Sequence, residues 1–225
     1  MWAVVPSKQF GVAKRRLAAL LSEAERVFLA EVMLNDVLST LHACSQVNGI
    51  IVVSKEPAAR RLAERYGATF VLEVQSDLSL AVTQGGAHAA ALGAKELLIV
   101  PGDVPLVTVQ EIEQLICLHG QGRGLTLVPD RSYTGTNGLI VSPINLISFS
   151  YGVDSFNLHA EAARAVGSRV QLLELDKLSL DIDTPEDVRA LMTYEQTSMT
   201  LDYLDEINVV SRLPGRHNVS HVAAG

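Results

Sequence analysis

Apolar and polar positions follow two different periods along the chain. Short, almost wholly apolar runs alternate with longer segments in which apolar residues recur every three or four positions. The short runs predict buried strands, and the longer segments predict amphipathic helices. Strands are predicted at residues 2–5, 50–54, 69–72, 96–100, 125–129, 139–142, 170–175 and 178–180. Helices are predicted at residues 14–21, 22–42, 56–66, 77–92, 108–120 and 155–166, and from residue 184 onward.

The regular alternation of strands and helices predicts an α/β fold. Repeated βαβ units build a mainly parallel sheet with helices on both faces. Capping boxes at Ser22 and Thr108 mark two helix starts, and Thr184 followed by Pro185 marks a third. Residues 1–195 are predicted to form a single domain. Residues 196–225 are predicted to be a C-terminal extension, partly flexible because its end is rich in small and polar residues.

Composition excludes several classes of protein. The chain has 225 residues, of which 48% are hydrophobic, and a formal net charge of −7, which disfavours a disordered chain or a general nucleic-acid binder. Two cysteines, Cys44 and Cys117, cannot build a disulfide scaffold or a CxxC metal site, so the reducing cytoplasm is the predicted compartment. No apolar run approaches the roughly 18 residues of a membrane span, and the apolar start is too short for a signal peptide.

A cationic segment follows the first predicted strand. Residues 1–22 contain no acidic residue, yet Lys8, Lys14, Arg15 and Arg16 fall within nine positions. Neither a GxxxxGK[ST] P-loop nor a GxGxxG fingerprint is present, which disfavours the common ATPase and dinucleotide-binding folds. Clustered cations on an acidic protein predict a docking site for a polyphosphate. The alternative is a solvated basic helix start, although cations there oppose the helix dipole.

Two acidic elements follow apolar runs that are distant in the chain. Asp103 lies in Gly-Asp-Val-Pro-Leu after the predicted strand at 96–100, and Asp181 and Asp183 follow the one predicted at 178–180. The carboxyl ends of the strands form the ligand crevice of an open α/β sheet. Carboxylates that meet there suit Mg²⁺, which usually bridges one or two carboxylates to substrate phosphates. The alternative is that Asp103 is a turn residue and Asp183 belongs to a helix cap.

Five short motifs carry a resemblance to a known family over residues 2–193. The motifs are P-x-K at 6–8, A-K-x-R-L at 13–17, G-D-x-P-L at 102–106, G-T-N at 135–137 and D-I-D-T-P at 181–185. In this order they resemble the CofC-type guanylyltransferases, which join GMP from GTP to a small phosphorylated acid during synthesis of the deazaflavin coenzyme F-420. The resemblance implies a nucleotidyltransferase architecture, GT-A-like and Rossmann-related. It leaves the tail beyond residue 195 outside.

The resemblance implies a role for the charged residues of these motifs. The residues implied to hold the triphosphate and stabilise charge at the α-phosphorus are Lys8, Lys14 and Arg16, and those implied to bind Mg²⁺ are Asp103, Asp183 and Asp181. Nucleotide contacts are implied at Pro6 and Gly102. A further contact is implied at Ser79, in the stretch where the family usually has an asparagine.

The acceptor acid is implied to lie against two polar segments, Gly135-Thr136-Asn137 and Gly152-Val153-Asp154-Ser155. Backbone N–H groups and small hydroxyls suit a phosphate or carboxylate, which needs close donors. An ordinary turn at 135–138 is the alternative. His159 lies one helical turn after Ser155 and is either a ligand contact or a structural histidine. The substrate-binding residues expected from the resemblance are Thr136, Asn137, Gly152, Ser155 and His159.

Taken together, these features predict a Mg²⁺-dependent guanylyltransferase with two partners, GTP and a small phosphorylated acid. The acceptors that the resemblance implies are 2-phospho-L-lactate, phosphoenolpyruvate and 3-phospho-D-glycerate, and the pattern does not separate them. The acceptor phosphate is already anionic, so no general base is required. A homodimer is a candidate assembly, and neither nucleic acid nor a membrane is a predicted partner.

Two alternatives compete with this prediction. A cytidylyl- or molybdopterin-type nucleotidyltransferase is disfavoured because its L-x-A-G-G-x-G-x-R loop is absent. A non-catalytic nucleotide-binding or partner-binding module on the same fold predicts the loss of a metal carboxylate or of a loop lysine. All of these residues are present.

Overall fold

Seven strands form one sheet in the computed structural model, which describes residues 1–12 and 14–214. The strands are β1 (Trp2–Pro6), β2 (Gly49–Ser54), β3 (Thr69–Leu72), β4 (Leu97–Ile99), β5 (Gly124–Pro129), β6 (Thr136–Ser142) and β7 (Arg169–Leu172). Their order is β3-β2-β1-β4-β6-β5-β7. All neighbouring pairs are parallel except the two that β6 makes with β4 and β5. The predicted mainly parallel sheet is therefore confirmed.

Helices cover both faces of this sheet, as predicted. The helices are α1 (Glu23–Ala43), α2 (Pro57–Arg65), α3 (Leu78–Ala91), α4 (Val109–His119), α5 (Ser155–Ala165), α6 (Pro185–Leu191) and α7 (Met199–Glu206). Ala3 and Val5 of β1 face a core shared with α1, α2, α4, α6 and α7. Val4, between them, faces a second core with α3 and α5. Both strand faces are buried, which explains the continuous apolar runs. Within the described ranges, no helix is long and apolar enough to cross a membrane.

Helix α3 lies unusually close to β1. A Cβ atom at Gly85 would lie 2.6 Å from the Cγ1 atom of Val4, so the side-chain-free residue permits this approach. Asp77 begins the helix by accepting a hydrogen bond from the Leu80 backbone N–H at 2.9 Å. The close packing places the start of α3 beside the loop that follows β1.

Two predicted elements are wrong. No strand forms at 178–180, where the chain runs as an irregular segment between β7 and α6. Leu178 and Leu180 are nevertheless buried, so their apolar pattern reflects core packing without sheet pairing. The predicted helix at 14–21 is replaced by 3₁₀ turns at Phe10–Val12 and Arg15–Leu17. Lys14 lies between these turns with φ = 57°, a left-handed conformation that interrupts a helix.

The irregular segment is anchored by Glu111 of α4. Thr108 caps α4 by accepting from the Glu111 backbone N–H, as predicted, but Glu111 does not complete the capping box. Its carboxylate instead accepts from the backbone N–H groups of Lys177 at 2.9 Å and Leu178 at 3.1 Å. Hydrogen bonds to a partly buried carboxylate are strong, so Glu111 fixes the segment that leads to Asp181 and Asp183.

The segment after residue 195 packs against α1 as far as the structure describes it. Asp36 accepts from the backbone N–H groups of Met199 at 3.0 Å and Thr200 at 2.9 Å, which caps α7. Leu204 and Val209 are fully buried in the same core as α1. The domain boundary at 195 stays a prediction, and the last part of the predicted flexible tail, residues 215–225, lies outside the described residues.

Candidate active site

A cavity of about 410 Å³ opens at the carboxyl edge of the sheet. The ends of β1 and β4 point to this edge, and because β6 is antiparallel, its first residues reach the same place. Of the residues predicted to form the site, those that line the cavity are Pro6, Lys8, Lys14, Arg16, Gly102, Asp103, Thr136, Asn137, Gly152, Ser155, Asp181 and Asp183. Five separate stretches of the chain therefore converge on one cavity.

Lys14 joins the two predicted metal-binding carboxylates. Its Nζ atom lies 2.7 Å from Oδ2 of Asp103 and 2.6 Å from Oδ1 of Asp183. Burial alone would lower the pKa of Lys14, but the two carboxylates outweigh it and raise that pKa. Burial opposes ionisation of Asp183 as well, yet Lys14, with Lys8 and Arg16, lowers the pKa of Asp183. Lys14 and Asp183 are thus both charged near neutral pH.

Backbone hydrogen bonds fix the positions of the two segments that carry these carboxylates. The backbone N–H of Gly102 donates to the carbonyl of Pro6 at 3.3 Å, and that of Ile182 donates to the carbonyl of Asp103 at 3.1 Å. Asp187, at the start of α6, accepts from the backbone N–H of Asp183 at 3.1 Å. The helix cap predicted as an alternative role is therefore present, but Asp187 and Thr184 form it and leave the Asp183 carboxylate to Lys14.

Asp181 has a different environment from Asp183. Its Oδ1 atom accepts a hydrogen bond from the Nδ2 atom of Asn137 at 3.1 Å, which joins the acidic segment to β6. Burial and then repulsion by Asp103 raise the pKa of Asp181 to about 6. The Lys14 ammonium forms its ion pairs with Asp103 and Asp183 rather than with Asp181. No group of three or more histidine, cysteine or acidic side chains arranged to hold a metal occurs in the described ranges.

A second wall of the cavity, formed by the starts of β6 and α5, is uncharged and internally hydrogen-bonded. The Thr136 hydroxyl accepts from the Ser155 hydroxyl at 3.2 Å and lies 3.2 Å from Nδ1 of His159. Gly152 and Asp154 have left-handed backbone conformations, with φ of 125° and 60°, which turn the chain sharply into α5. This turn brings Ser155, only 2% exposed, under the first residue of β6.

His159 orients the Thr136 hydroxyl from the side that faces away from the cavity. The Nε2 atom of His159 accepts from the Ser150 backbone N–H at 2.9 Å, so Nδ1 carries the proton of the neutral ring and donates to Thr136. Burial lowers the pKa of His159 to about 4, so the ring is neutral near pH 7. With two donors on its oxygen, Thr136 keeps its own hydrogen for a group in the cavity. His159 itself is fully buried and does not line the cavity.

Comparison with known proteins identifies the family. The family model described as "Guanylyl transferase CofC like" matches residues 1–219. The chain belongs to this family. Phosphoenolpyruvate guanylyltransferase of Conexibacter woesei is 38% identical over 192 residues, which cover 84% of this chain and 86% of that protein. 3-Phospho-D-glycerate guanylyltransferase of Colwellia psychrerythraea is 30% identical over 188 residues, which cover 84% of this chain and 89% of that protein.

The fold is also that of solved nucleotidyltransferases. A cytidylyltransferase from Leptospira borgpetersenii superposes with a TM-score of 0.61 and 13% sequence identity, covering 98% of each chain. At that identity the likeness concerns the fold alone. The predicted guanylyltransferase family and nucleotidyltransferase architecture are confirmed. The limit placed on the resemblance at residue 195 is wrong, because the CofC-like match extends to residue 219.

Two predicted contacts lie outside the cavity of this CofC-like protein. His159 lies behind Thr136, as described. The Ser79 hydroxyl accepts a hydrogen bond from the backbone N–H of Tyr151 at 2.8 Å and does not line the cavity. Ser79 therefore links α3 to the loop before α5 and has a structural role next to the cavity.

Several cavity residues were missed by sequence reasoning. Tyr151 lines the cavity and packs edge-on against His159 with ring centroids 4.8 Å apart. Asp130 also lines it and holds the turn after β5 by accepting from the Ser132 and Thr134 backbone N–H groups. Asp130 follows an apolar strand as Asp103 does, so the same pattern was available to find it. No comparable signal marks Tyr151.

Proposed function

We propose that this protein is a Mg²⁺-dependent guanylyltransferase that transfers GMP from GTP to the phosphate of a three-carbon phosphorylated acid and releases pyrophosphate. The resemblance places this reaction in the synthesis of coenzyme F-420. A location in the cytoplasm and a homodimer remain part of the proposal. The observation that carries the proposal is the division of one cavity into a charged wall and a neutral wall of hydrogen-bond donors.

The charged wall suits the triphosphate. Lys8 and Arg16 are exposed and line the cavity, and both help to lower the pKa of Asp183. An ammonium and a guanidinium group supply several N–H donors for phosphate oxygens. These groups would draw electron density from the β- and γ-phosphates, which form the leaving pyrophosphate.

The acidic residues suit Mg²⁺. Asp103 and Asp183 already reach one cation together, since each lies within 2.7 Å of the Lys14 ammonium. Mg²⁺ usually binds one or two carboxylates together with substrate phosphates, and Asp103 and Asp183 would supply the carboxylates here. When bound, Mg²⁺ would neutralise charge on the phosphates during transfer.

Lys14 would change partners when the donor binds. Its ammonium lies between the same two carboxylates that would hold the metal, and the three groups form one hydrogen-bonded cluster. If Asp103 and Asp183 held Mg²⁺, the Lys14 ammonium would no longer be needed to offset their charge and would be free to bind the α-phosphate. Lys14 would thus keep two like charges together before the donor arrives and stabilise the reacting phosphate afterwards.

The neutral wall suits the acceptor. Thr136 offers its hydroxyl hydrogen to the cavity, beside Asn137 and Gly152. An acceptor held there would direct one phosphate oxygen at the α-phosphorus of GTP. That oxygen forms the new P–O bond, the bond from the α-phosphorus to the bridging oxygen breaks, and pyrophosphate leaves with the electron pair. No proton has to be removed from the nucleophile, so the wall needs donors and no base.

The test is a matrix of nucleotides and acids. The protein is incubated with Mg²⁺, with GTP or CTP, and with phosphoenolpyruvate, 3-phospho-D-glycerate or 2-phospho-L-lactate in turn. Pyrophosphate and the mass of the product are measured. We expect an acid-dependent release of pyrophosphate with GTP and its abolition by a chelator.

Two outcomes would contradict the proposal. Release with CTP in preference to GTP would favour the cytidylyl alternative. No release with any of the three acids, from folded protein that binds GTP, would favour a non-catalytic nucleotide-binding module.

A further inference from the structure

A second cavity, of about 190 Å³, adjoins the first. The two cavities share Pro6, Ser7, Lys8 and Leu78. Pockets that enclose whole drug-sized ligands measure about 300–1,000 Å³, so this smaller space suits one part of a ligand. Since the triphosphate and the acceptor are assigned to the first cavity, the part of the donor still to be placed is its base.

Glu73 lines the second cavity and is not among the residues that the two cavities share. It follows the edge strand β3, and its backbone N–H donates to the carbonyl of Ser54 at 3.0 Å. Gln84 of α3 fixes the residues on either side, because it donates to the carbonyl of Leu72 at 2.8 Å and accepts from the Val74 backbone N–H at 3.3 Å. The position of Glu73 is therefore set by backbone hydrogen bonds and by α3.

The Glu73 carboxylate has spare acceptor capacity. Within the described residues no side chain donates a hydrogen bond to it, and the nearby Lys55 ammonium donates to the Ser76 hydroxyl at 2.8 Å instead. Burial raises the pKa of Glu73, against the pull of Lys55 and the Asp77 backbone N–H. Asp77, the other acid of this cavity, already caps α3 through Leu80. Of these two acids, Glu73 is thus the one that does not cap a helix.

A carboxylate discriminates sharply among nucleobases. Guanine presents its N1–H and its 2-amino group side by side, and a carboxylate accepts both in parallel. Adenine turns an acceptor nitrogen to the same place, and cytosine offers only one donor group. On this basis, and resting on GTP as the proposed donor, we propose that the second cavity holds the guanine base and that Glu73 selects it by accepting from N1–H and the 2-amino group.

The proposal is tested by changing the hydrogen-bonding groups of both the residue 73 side chain and the base of the nucleotide. Glu73→Gln keeps the shape but replaces one acceptor oxygen by an NH₂ donor, which opposes the 2-amino group of guanine and matches the 2-carbonyl of xanthine. Binding of GTP, ITP and XTP is measured by calorimetry on the full chain, and transfer is measured separately. Glu64→Gln, on the exposed side of α2, is the matched control for loss of one charge.

We expect wild-type protein to bind GTP more tightly than ITP and XTP. Glu73→Gln should weaken GTP binding by about tenfold to a hundredfold, the effect of a bidentate base contact, and should tighten XTP binding. Glu64→Gln should resemble wild type. Equal affinity of wild type for the three nucleotides, or a Glu73→Gln variant that binds GTP and XTP as wild type does, would overturn the assignment. Because binding is measured without the acid, a failed transfer reaction would leave this result interpretable on its own.

Discussion

The two walls of the cavity are organised in opposite ways. The donor wall consists of charged side chains, several of them from the segment between β1 and α1, and its buried member Lys14 forms ion pairs with Asp103 and Asp183. The acceptor wall consists of neutral groups at the starts of β6 and α5, each with a hydrogen-bond partner. The charges of the first wall must be redistributed when a ligand binds, whereas the donors of the second are already oriented. We infer that the metal-bound nucleotide assembles its own half of the site, while the acid enters a preformed one.

The largest expected effect comes from removing a charge of the donor wall. Asp103→Asn keeps the size of the side chain and a contact with Lys14 but loses the negative charge that would hold Mg²⁺. We expect turnover to fall about 100- to 1000-fold, the usual effect of deleting one charge-stabilising group, with little change in melting temperature. Steady-state rates and a thermal melt at several Mg²⁺ concentrations measure both quantities.

A matched control for this change is Asp205→Asn, on the exposed side of α7. It removes the same charge far from the cavity and should leave turnover unchanged. Near-normal turnover of Asp103→Asn at saturating Mg²⁺ would contradict the metal site and remove the main difference between the two walls.

The acceptor wall should be the more sensitive to acid. Burial lowers the pKa of His159 to about 4, below the ordinary value of 6.5, so the folded state binds fewer protons than the unfolded state between these values. The stabilisation is complete above pH 6.5 and is lost as the pH falls toward 4. One pKa unit corresponds to about 1.4 kcal/mol, so the loss amounts to roughly 3 kcal/mol.

Urea unfolding of wild type and His159→Gln from pH 7 to pH 4 measures this effect. The free energy of unfolding should fall more steeply in wild type, and the two curves should converge toward pH 4. Burial also lowers the pKa of His119, but His119 is present in both proteins and cancels in the comparison. Parallel curves would show that protonation of His159 is not coupled to folding.

The donor wall should instead be sensitive to the metal. Lys14→Met keeps most of the side-chain volume but leaves Asp103 and Asp183 facing each other without a cation. Because both carboxylates are partly exposed, we expect a loss of only about 1–2 kcal/mol, or roughly 2–8 °C in melting temperature. Mg²⁺ without nucleotide should restore stability to the variant and do little for wild type. A variant whose melting temperature ignores Mg²⁺ would contradict the shared cation position.

How far the sequence predicts the site differs between its parts. The Asp103 carboxylate follows a buried strand of a parallel sheet, and such strands end at one edge, so its place in the cavity was predictable. Thr136 and Asn137 reach that edge because β6 runs antiparallel. An apolar run looks the same in either direction, so their position depended on the motif resemblance.

The contacts of Lys14 could not be predicted. Its partners lie 89 and 169 residues away, and its left-handed backbone has no local signal in a run of basic residues that otherwise predicts a helix start. The apolar residues at 178–180 misled for a related reason. They are buried by tertiary packing, and an apolar pattern indicates that residues are buried without showing that they pair in a sheet.

The smallest predicted effect concerns the preformed wall itself. Ser155→Ala removes one of the two donors that fix the Thr136 hydroxyl, while His159 keeps the other. The freed Thr136 oxygen can then turn its hydrogen away from the cavity, so the acid should lose part of one hydrogen bond. A neutral hydrogen bond contributes about 1 kcal/mol, so loss of part of it should raise KM for the acid about two- to fivefold, with KM for GTP unchanged. Initial rates with each substrate varied in turn separate the two constants.

Ser150→Ala, which keeps the backbone N–H that His159 uses, is the matched control and should behave as wild type. A rise in KM for GTP instead would mean that the neutral wall holds the nucleotide, and the assignment of the two walls would have to be reversed.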